Sequence, residues 1–137
     1  MHKIHPLFLF IPLMFMISCS EKNNSKDSEL NGLAEQYVQL GLNIGQYDPD
    51  FVDAYYGPDS LKPKTDTLAI FPKDSLLNSV AGLKNKLREI SSELSDTGKI
   101  RAGWMSQQLT AFDRRIRIFS GEFKSFDEES KDLFGIS

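Results

Sequence analysis

The chain has 137 residues, 16 Lys and Arg against 19 Asp and Glu, a formal net charge of −3 and one cysteine. A mildly acidic chain with no basic block gives no electrostatic case for nucleic acid or anionic headgroups. A lone cysteine excludes an internal disulfide, and the length suits one small domain with a modest core.

The first predicted element is a targeting segment over residues 1–18. His2, Lys3 and His5 make a short basic start, and Leu7 to Ile17 is apolar except for Pro12. That run is shorter than the roughly 20 residues a spanning helix needs, and it fits a secretory apolar region. It ends in Met16-Ile17-Ser18-Cys19. This tetrad resembles the bacterial lipoprotein signal, in which a small residue precedes a cysteine that is lipidated and becomes the mature N-terminus. The alternative is an ordinary signal peptide with a chance cysteine, or an uncleaved anchor. On the lipoprotein reading Cys19 ties the protein to a membrane, and two or more acyl chains make that attachment stable. Residues 19–28 are Cys, Ser, Glu, Lys, Asn and Asp only, a composition that predicts a solvated tether.

Residues 29–137 read as an all-α domain: a small antiparallel array of three long helices and two short ones. The first long helix is expected from Glu29 to Gln46, with Ser28 as cap. Leu30, Leu33, Ala34, Tyr37, Val38, Gly41 and Ile44 form its apolar face. Gly41 on that face allows either a groove or the close approach of a neighbouring helix.

The densest run of aromatic, acidic and helix-punctuating residues follows, from Gln46 to Pro58. Asp48 can cap a helix, and Pro49 suits its first position. Gly57 can take the left-handed conformation that ends a helix, and Pro58 forbids continuation. The pattern predicts a two-turn helix from Pro49 to Tyr56, with Phe51, Tyr55 and Val52 turned inward. Asp48, Phe51, Asp53, Tyr55 and Tyr56 are the candidate binding or packing corner.

Asp59 to Lys73 reads as a loop marked by prolines, whose Leu68-Ala69-Ile70-Phe71 pins it to the helices. The second long helix is predicted from Ser75 to Leu94, capped by Asp74. Leu76, Leu77, Val80, Leu83, Leu87, Ile90 and Leu94 form its apolar face. Lys84, Lys86, Arg88, Glu89 and Glu93 make a solvated face. Ser95-Asp96-Thr97-Gly98 reads as a turn. The third long helix is predicted from Lys99 to Ser120, with Ile100, Trp104, Leu109, Phe112, Ile116 and Phe119 as its stripe. Arg114, Arg115 and Arg117 near its end either complement the helix dipole or clamp a carboxylate or phosphate. Gly121 ends that helix. Ser125-Phe126-Asp127-Glu128 is a capping box that opens a short helix through Phe134, with Gly135 as its stop. Leu133, Phe134 and Ile136 then need cover, which suggests a domain that continues into further protein.

Tyr47-Asp48-Pro49-Asp50-Phe51-Val52-Asp53-Ala54-Tyr55-Tyr56-Gly57-Pro58 and Ser125-Phe126-Asp127-Glu128-Glu129-Ser130 together resemble the N-terminal region of a family of largely uncharacterised exported bacterial proteins. Its longer members look like mostly helical zinc metallopeptidases of the thermolysin-like class, with a His-Glu-x-x-His motif far downstream. The resemblance implies a helical domain of an envelope protein. It carries no catalytic residue onto this chain, because the two histidines, His2 and His5, both lie in the targeting segment. A catalytic zinc site needs three protein ligands, usually including histidine. An acid-only metal site at Asp48, Asp50 and Asp53 lacks the glycine and distal glutamate of an EF-hand loop. No metal, cofactor or catalytic residue is therefore assigned.

Two functional classes remain. One is a non-catalytic helical domain, or fragment, of a metallopeptidase-like lipoprotein. The other is a self-sufficient small envelope lipoprotein that binds a protein partner or small ligand. An enzyme using Asp and Tyr as acid and base lacks a nucleophile or paired-carboxylate signature.

Overall fold

Each long helix carries apolar residues at alternating steps of three and four, a spacing that keeps one seam on one face. In the computed structural model, which describes residues 20–64 and 70–136, these seams meet in one core. Helix α1 (Ser20–Gly45) contributes Leu30, Leu33, Leu40 and Ile44, with Tyr37 partly buried between them. Helix α2 (Lys73–Ile90) contributes Leu76, Val80, Leu83, Leu87 and Ile90. A 3₁₀ turn, Ser91–Glu93, follows α2 and carries its seam on to buried Leu94. Helix α3 (Asp96–Phe119) contributes Ala102, Met105, Leu109, Phe112 and Ile116. The described residues contain no strand, so the fold is all-α with three long helices.

Cross-helix polar contacts give the helix directions. Asn31 accepts from Arg101 and Asp48 from Arg115, so α1 and α3 run the same way. Lys26 meets Glu93 while Gln36 accepts from Lys86, and Glu122 accepts from Lys73 while Thr110 accepts from Lys84, so α2 runs opposite to both. Consecutive long helices are therefore antiparallel, as the sequence predicts. Helix α4 (Phe126–Phe134) folds back along α3, and its C-terminal Gly135 lies against the Gln107 side chain.

Several boundaries differ from the sequence reading. Residues 20–28, read as a tether, are the first turns of α1. Tertiary contacts lengthen this helix: Lys26 meets Glu93 at 4.0 Å, and the Ser95 amide donates to the Asp27 carboxylate. Helix α2 begins at Lys73, preceded by Pro72 with no side-chain cap bond. Asp74 therefore lies in the first turn, where its charge favours the helix dipole, rather than at the cap. The residues read as a turn before α3 are its start: the Ser95 hydroxyl accepts from the Gly98 amide at 3.0 Å. Gly98 leaves room there for the Asp27 carboxylate, since a Cβ would stand 2.5 Å from it and push it off the Ser95 amide. The capping box at Ser125 and Glu128 is formed. Gly121 and Gly135 follow α3 and α4 with positive φ, as expected of helix stops.

The predicted stripe of α3 is half corrected. Leu109, Phe112 and Ile116 are buried, but Ile100 is 75% exposed, Trp104 56% and Phe119 45%. The smaller Ala102 and the unbranched Met105 take the core positions instead, because they keep the three–four step unbroken. Phe134 at the end of α4 and Ile136 beyond it are exposed, and Leu133 is half-buried.

These assignments predict opposite outcomes for two aliphatic residues on α3. Leu109→Ala, at a site with 0% exposure, should cost about 2–5 kcal/mol. Ile100→Ala should stay within about 0.5 kcal/mol of wild type. Urea unfolding followed by far-UV circular dichroism measures both, and equal losses would mean the seam is misassigned.

Candidate functional site

Backbone geometry places Asp48 before any side chain acts. Helix α1 ends at Gly45, and the Tyr47 and Asp48 amides both donate to the Ile44 carbonyl. The Phe51 amide donates to the Asp48 carbonyl at 2.9 Å, closing a turn over Asp48–Phe51. The predicted helix from Pro49 to Tyr56 is absent: beyond this turn the chain is irregular until a 3₁₀ turn at Asp59–Leu61. Two turns of isolated helix are marginal in water, and the residue expected to cap them is engaged elsewhere.

That engagement is with Arg115 on α3. Its Nε lies 2.5 Å from Asp48 Oδ2 and its Nη2 3.0 Å from Oδ1, a bidentate charge-assisted pair. Asp48 is 3% exposed, whereas the Arg115 side chain keeps more than a third of its surface in water. The Arg115 guanidinium holds the Asp48 carboxyl below the usual carboxylate range, against the opposing pull of burial. The Asp50 amide adds a further hydrogen bond to the same carboxylate. A carboxylate held this acidic is a weak general base near neutrality.

The other two arginines of the cluster also have partners within the chain. Arg114 is buried and donates to the Glu122 carbonyl, while its Nε has no partner among the described residues. Arg117 pairs with Asp113 at 2.7 Å and Glu122 at 3.3 Å. The carboxylate clamp weighed from the sequence therefore exists at Arg115, and it grips the chain's own Asp48.

The aromatic residues of the corner divide. Phe51 packs edge-on against Phe112 at 4.8 Å, and Val52 packs over Gly45. Tyr55 is half-buried and donates its hydroxyl to the Pro58 carbonyl at 3.1 Å. Its ring lies so close to Gly57 that a Cβ there would collide with it. Gly57 thus serves close approach; positive φ occurs among the described residues only at Gly121 and Gly135. Asp53 is exposed and Tyr56 is 97% exposed, so neither belongs to the packed corner.

Phe112 extends the corner into an aromatic row. Tyr37 stacks on it at 5.0 Å, and Trp104 meets Tyr37 edge-on at 6.4 Å. A groove of about 300 Å³ lies beside these rings, lined in part by Val38, Gly41 and Gln108. Gly41 gives the close packing weighed from the sequence, as a Cβ there would touch the Phe112 ring at 3.5 Å. Burial raises the Tyr37 phenol above its ordinary pKa. A second aromatic set, Tyr47, Phe71 and Phe119, packs at the same end of the bundle. The sequence reading missed the partnership of Tyr37, Phe112 and Arg115 with the corner. The available signal was that Tyr37 and Gly41 lie one turn apart on the face leading into Asp48.

No group of three or more His, Cys, Asp or Glu among the described residues is arranged to hold a metal ion. Cys19 lies outside the described residues. No helix among them is long and apolar enough to cross a membrane. Compared with protein-family models, curated proteins and solved structures, the chain matches none.

The unequal burial of Asp48 and Arg115 makes their removals unequal. Arg115→Ala leaves a buried carboxylate without its counter-charge and should cost about 3–5 kcal/mol. Asp48→Ala leaves an arginine that can turn to water, and should cost about 1–3 kcal/mol. Urea midpoints of the two variants test this, and a larger loss for Asp48→Ala would reverse the argument.

A pH dependence follows with a definite sign. Because the folded pKa of Asp48 is lowered, its contribution is fully present above the unfolded value near 3.8. It is lost as pH falls from there through the lower folded value. Stability measured from pH 6 down to pH 2 should fall less steeply in Asp48→Asn than in wild type. Parallel profiles would contradict the pairing.

Proposed function

We propose that the chain is an exported bacterial lipoprotein, anchored through acylated Cys19, with a non-catalytic helical domain like the N-terminal region of metallopeptidase-like envelope proteins. The observation that carries the non-catalytic reading is the state of Asp48. The one buried acid of the motif behind the family resemblance is neutralised by Arg115 and lowered in pKa, as a structural charge would be. The motif thus acts as a corner that joins α1 to α3. Anchorage is supported by the apolar run that ends in Met16-Ile17-Ser18-Cys19.

A second reading, a small envelope lipoprotein that binds a ligand or protein partner by itself, is favoured by the groove beside Tyr37 and Phe112. Trp104 stands half in water at one end of that aromatic row.

Metabolic labelling with a fatty acid tests the anchor. Wild type should take up label and Cys19→Ala should not; equal label in both would sink the lipoprotein assignment. The purified wild-type chain should show no chelator-sensitive peptidase activity and no stoichiometric zinc. Finding both would overturn the non-catalytic half of the proposal.

A further inference from the structure

On the opposite side of α3 from the aromatic row, α2 and α3 enclose a groove of about 460 Å³ that neither functional reading uses. We propose that this groove binds a phosphate group, free or as an ester.

Its walls are cationic and hydroxylic. Lys84 and Arg88 enter from α2, and Lys99 enters from the first turns of α3. Neither Lys84 nor Arg88 has a carboxylate partner among the described residues: Lys84 donates to the Thr110 hydroxyl at 2.8 Å and Arg88 to the Asn85 amide oxygen at 2.6 Å. Lys99 meets Asp96 at 3.5 Å, but that carboxylate is almost fully in water and the contact is weak. Lys84 and Arg88, with their partners Thr110 and Asn85, also line an adjoining groove of about 440 Å³ that includes Asp113 and Asp132, and these two acids are already paired, with Arg117 and Lys124. No carboxylate lines the 460 Å³ groove itself.

Ser91 and Ser92, from the 3₁₀ turn after α2, and Ser106, from α3, also line it and add hydroxyl donors. Three cations and three hydroxyls exceed what one carboxylate can accept. They suit a group with up to two charges and three or more acceptor oxygens. Gly103 completes the wall, and a Cβ built there meets nothing within 4 Å, so the approach from solvent is open. The volume lies in the range of small-molecule sites, large enough for a phosphate and part of its ester.

The test uses the full chain in non-ionic maltoside micelles, titrated with inorganic phosphate and with glycerol 3-phosphate. Ionic strength is held constant with sodium chloride. Amide nitrogen–proton spectra should show saturable shifts at Ser91, Ser92, Gly103 and Ser106. The Lys84→Gln/Arg88→Gln variant should bind at least about tenfold more weakly, as loss of charge-assisted bonds requires. Gly103→Glu, at an open helical position that leaves every native cation in place, should also abolish the saturable shifts. Dioctanoyl phosphatidic acid separates the two sources. Tighter binding of it than of inorganic phosphate assigns a lipid headgroup, and equal or weaker binding assigns a free phosphate or a small ester. Shifts matched by sodium chloride alone, or affinities unchanged in folded Gly103→Glu, would overturn the proposal.

Discussion

The pair between Asp48 and Arg115 is the constraint on which the far end of the bundle depends. Helices α1 and α3 run in the same direction, so no short loop can join them. Their relative register has to come from contacts across the bundle. At one end the Asp27 carboxylate receives the amide of Ser95, which caps α3. At the other, Arg115 receives Asp48 just past the last turn of α1. Between these two ties the Leu30–Ile44 and Ala102–Ile116 seams have little freedom to slide. A buried ion pair is a weak net stabiliser, since desolvation offsets much of its attraction. Its effect here is positional: with Asp48 fixed, the following turn delivers Phe51 to Phe112.

This arrangement explains which parts of the fold were legible in the sequence. The seam of α2 could be read without error because no polar residue interrupts its three–four steps. The stops at Gly121 and Gly135 and the cap at Ser125 depend on residues within a few positions, so local chemistry settles them. The corner could not be read that way. Asp48-Pro49 carries a strong local signal for a helix start, but a guanidinium 67 positions away competes for the same carboxylate. A contact of that separation leaves no periodic trace. The same limit applies at Ser20–Ser28, whose composition suits a tether until the distant Glu93 and Ser95 supply partners.

Large apolar residues misled the reading of α3 for a related reason. Ile100 and Trp104 are bulkier than Ala102 and Met105, yet the seam follows spacing rather than size. Trp104 meets Tyr37 on the flank instead of entering the core, which leaves an aromatic surface beside α1. Of the candidate residues, Asp48 and Phe51 proved to belong to one packed unit and Tyr55 to its edge. Asp53 and Tyr56 face water.

Helix α3 therefore presents three chemically different faces. Its core face is aliphatic, its α1 flank is aromatic around Tyr37 and Phe112, and its α2 flank opens onto a cationic groove. The faces are separable because a straight helix holds side chains about 100° apart at fixed register. Changes at Trp104 or Gly103 can therefore alter one flank without moving the other. Arg114 is the exception. It is buried, and it donates to the Glu122 carbonyl, in the segment between α3 and α4, so it secures the fold-back of α4 from beneath. Its unpartnered Nε marks that end of α3 as the least satisfied part of the described interior. The polar cost is thus concentrated where α4 meets the bundle.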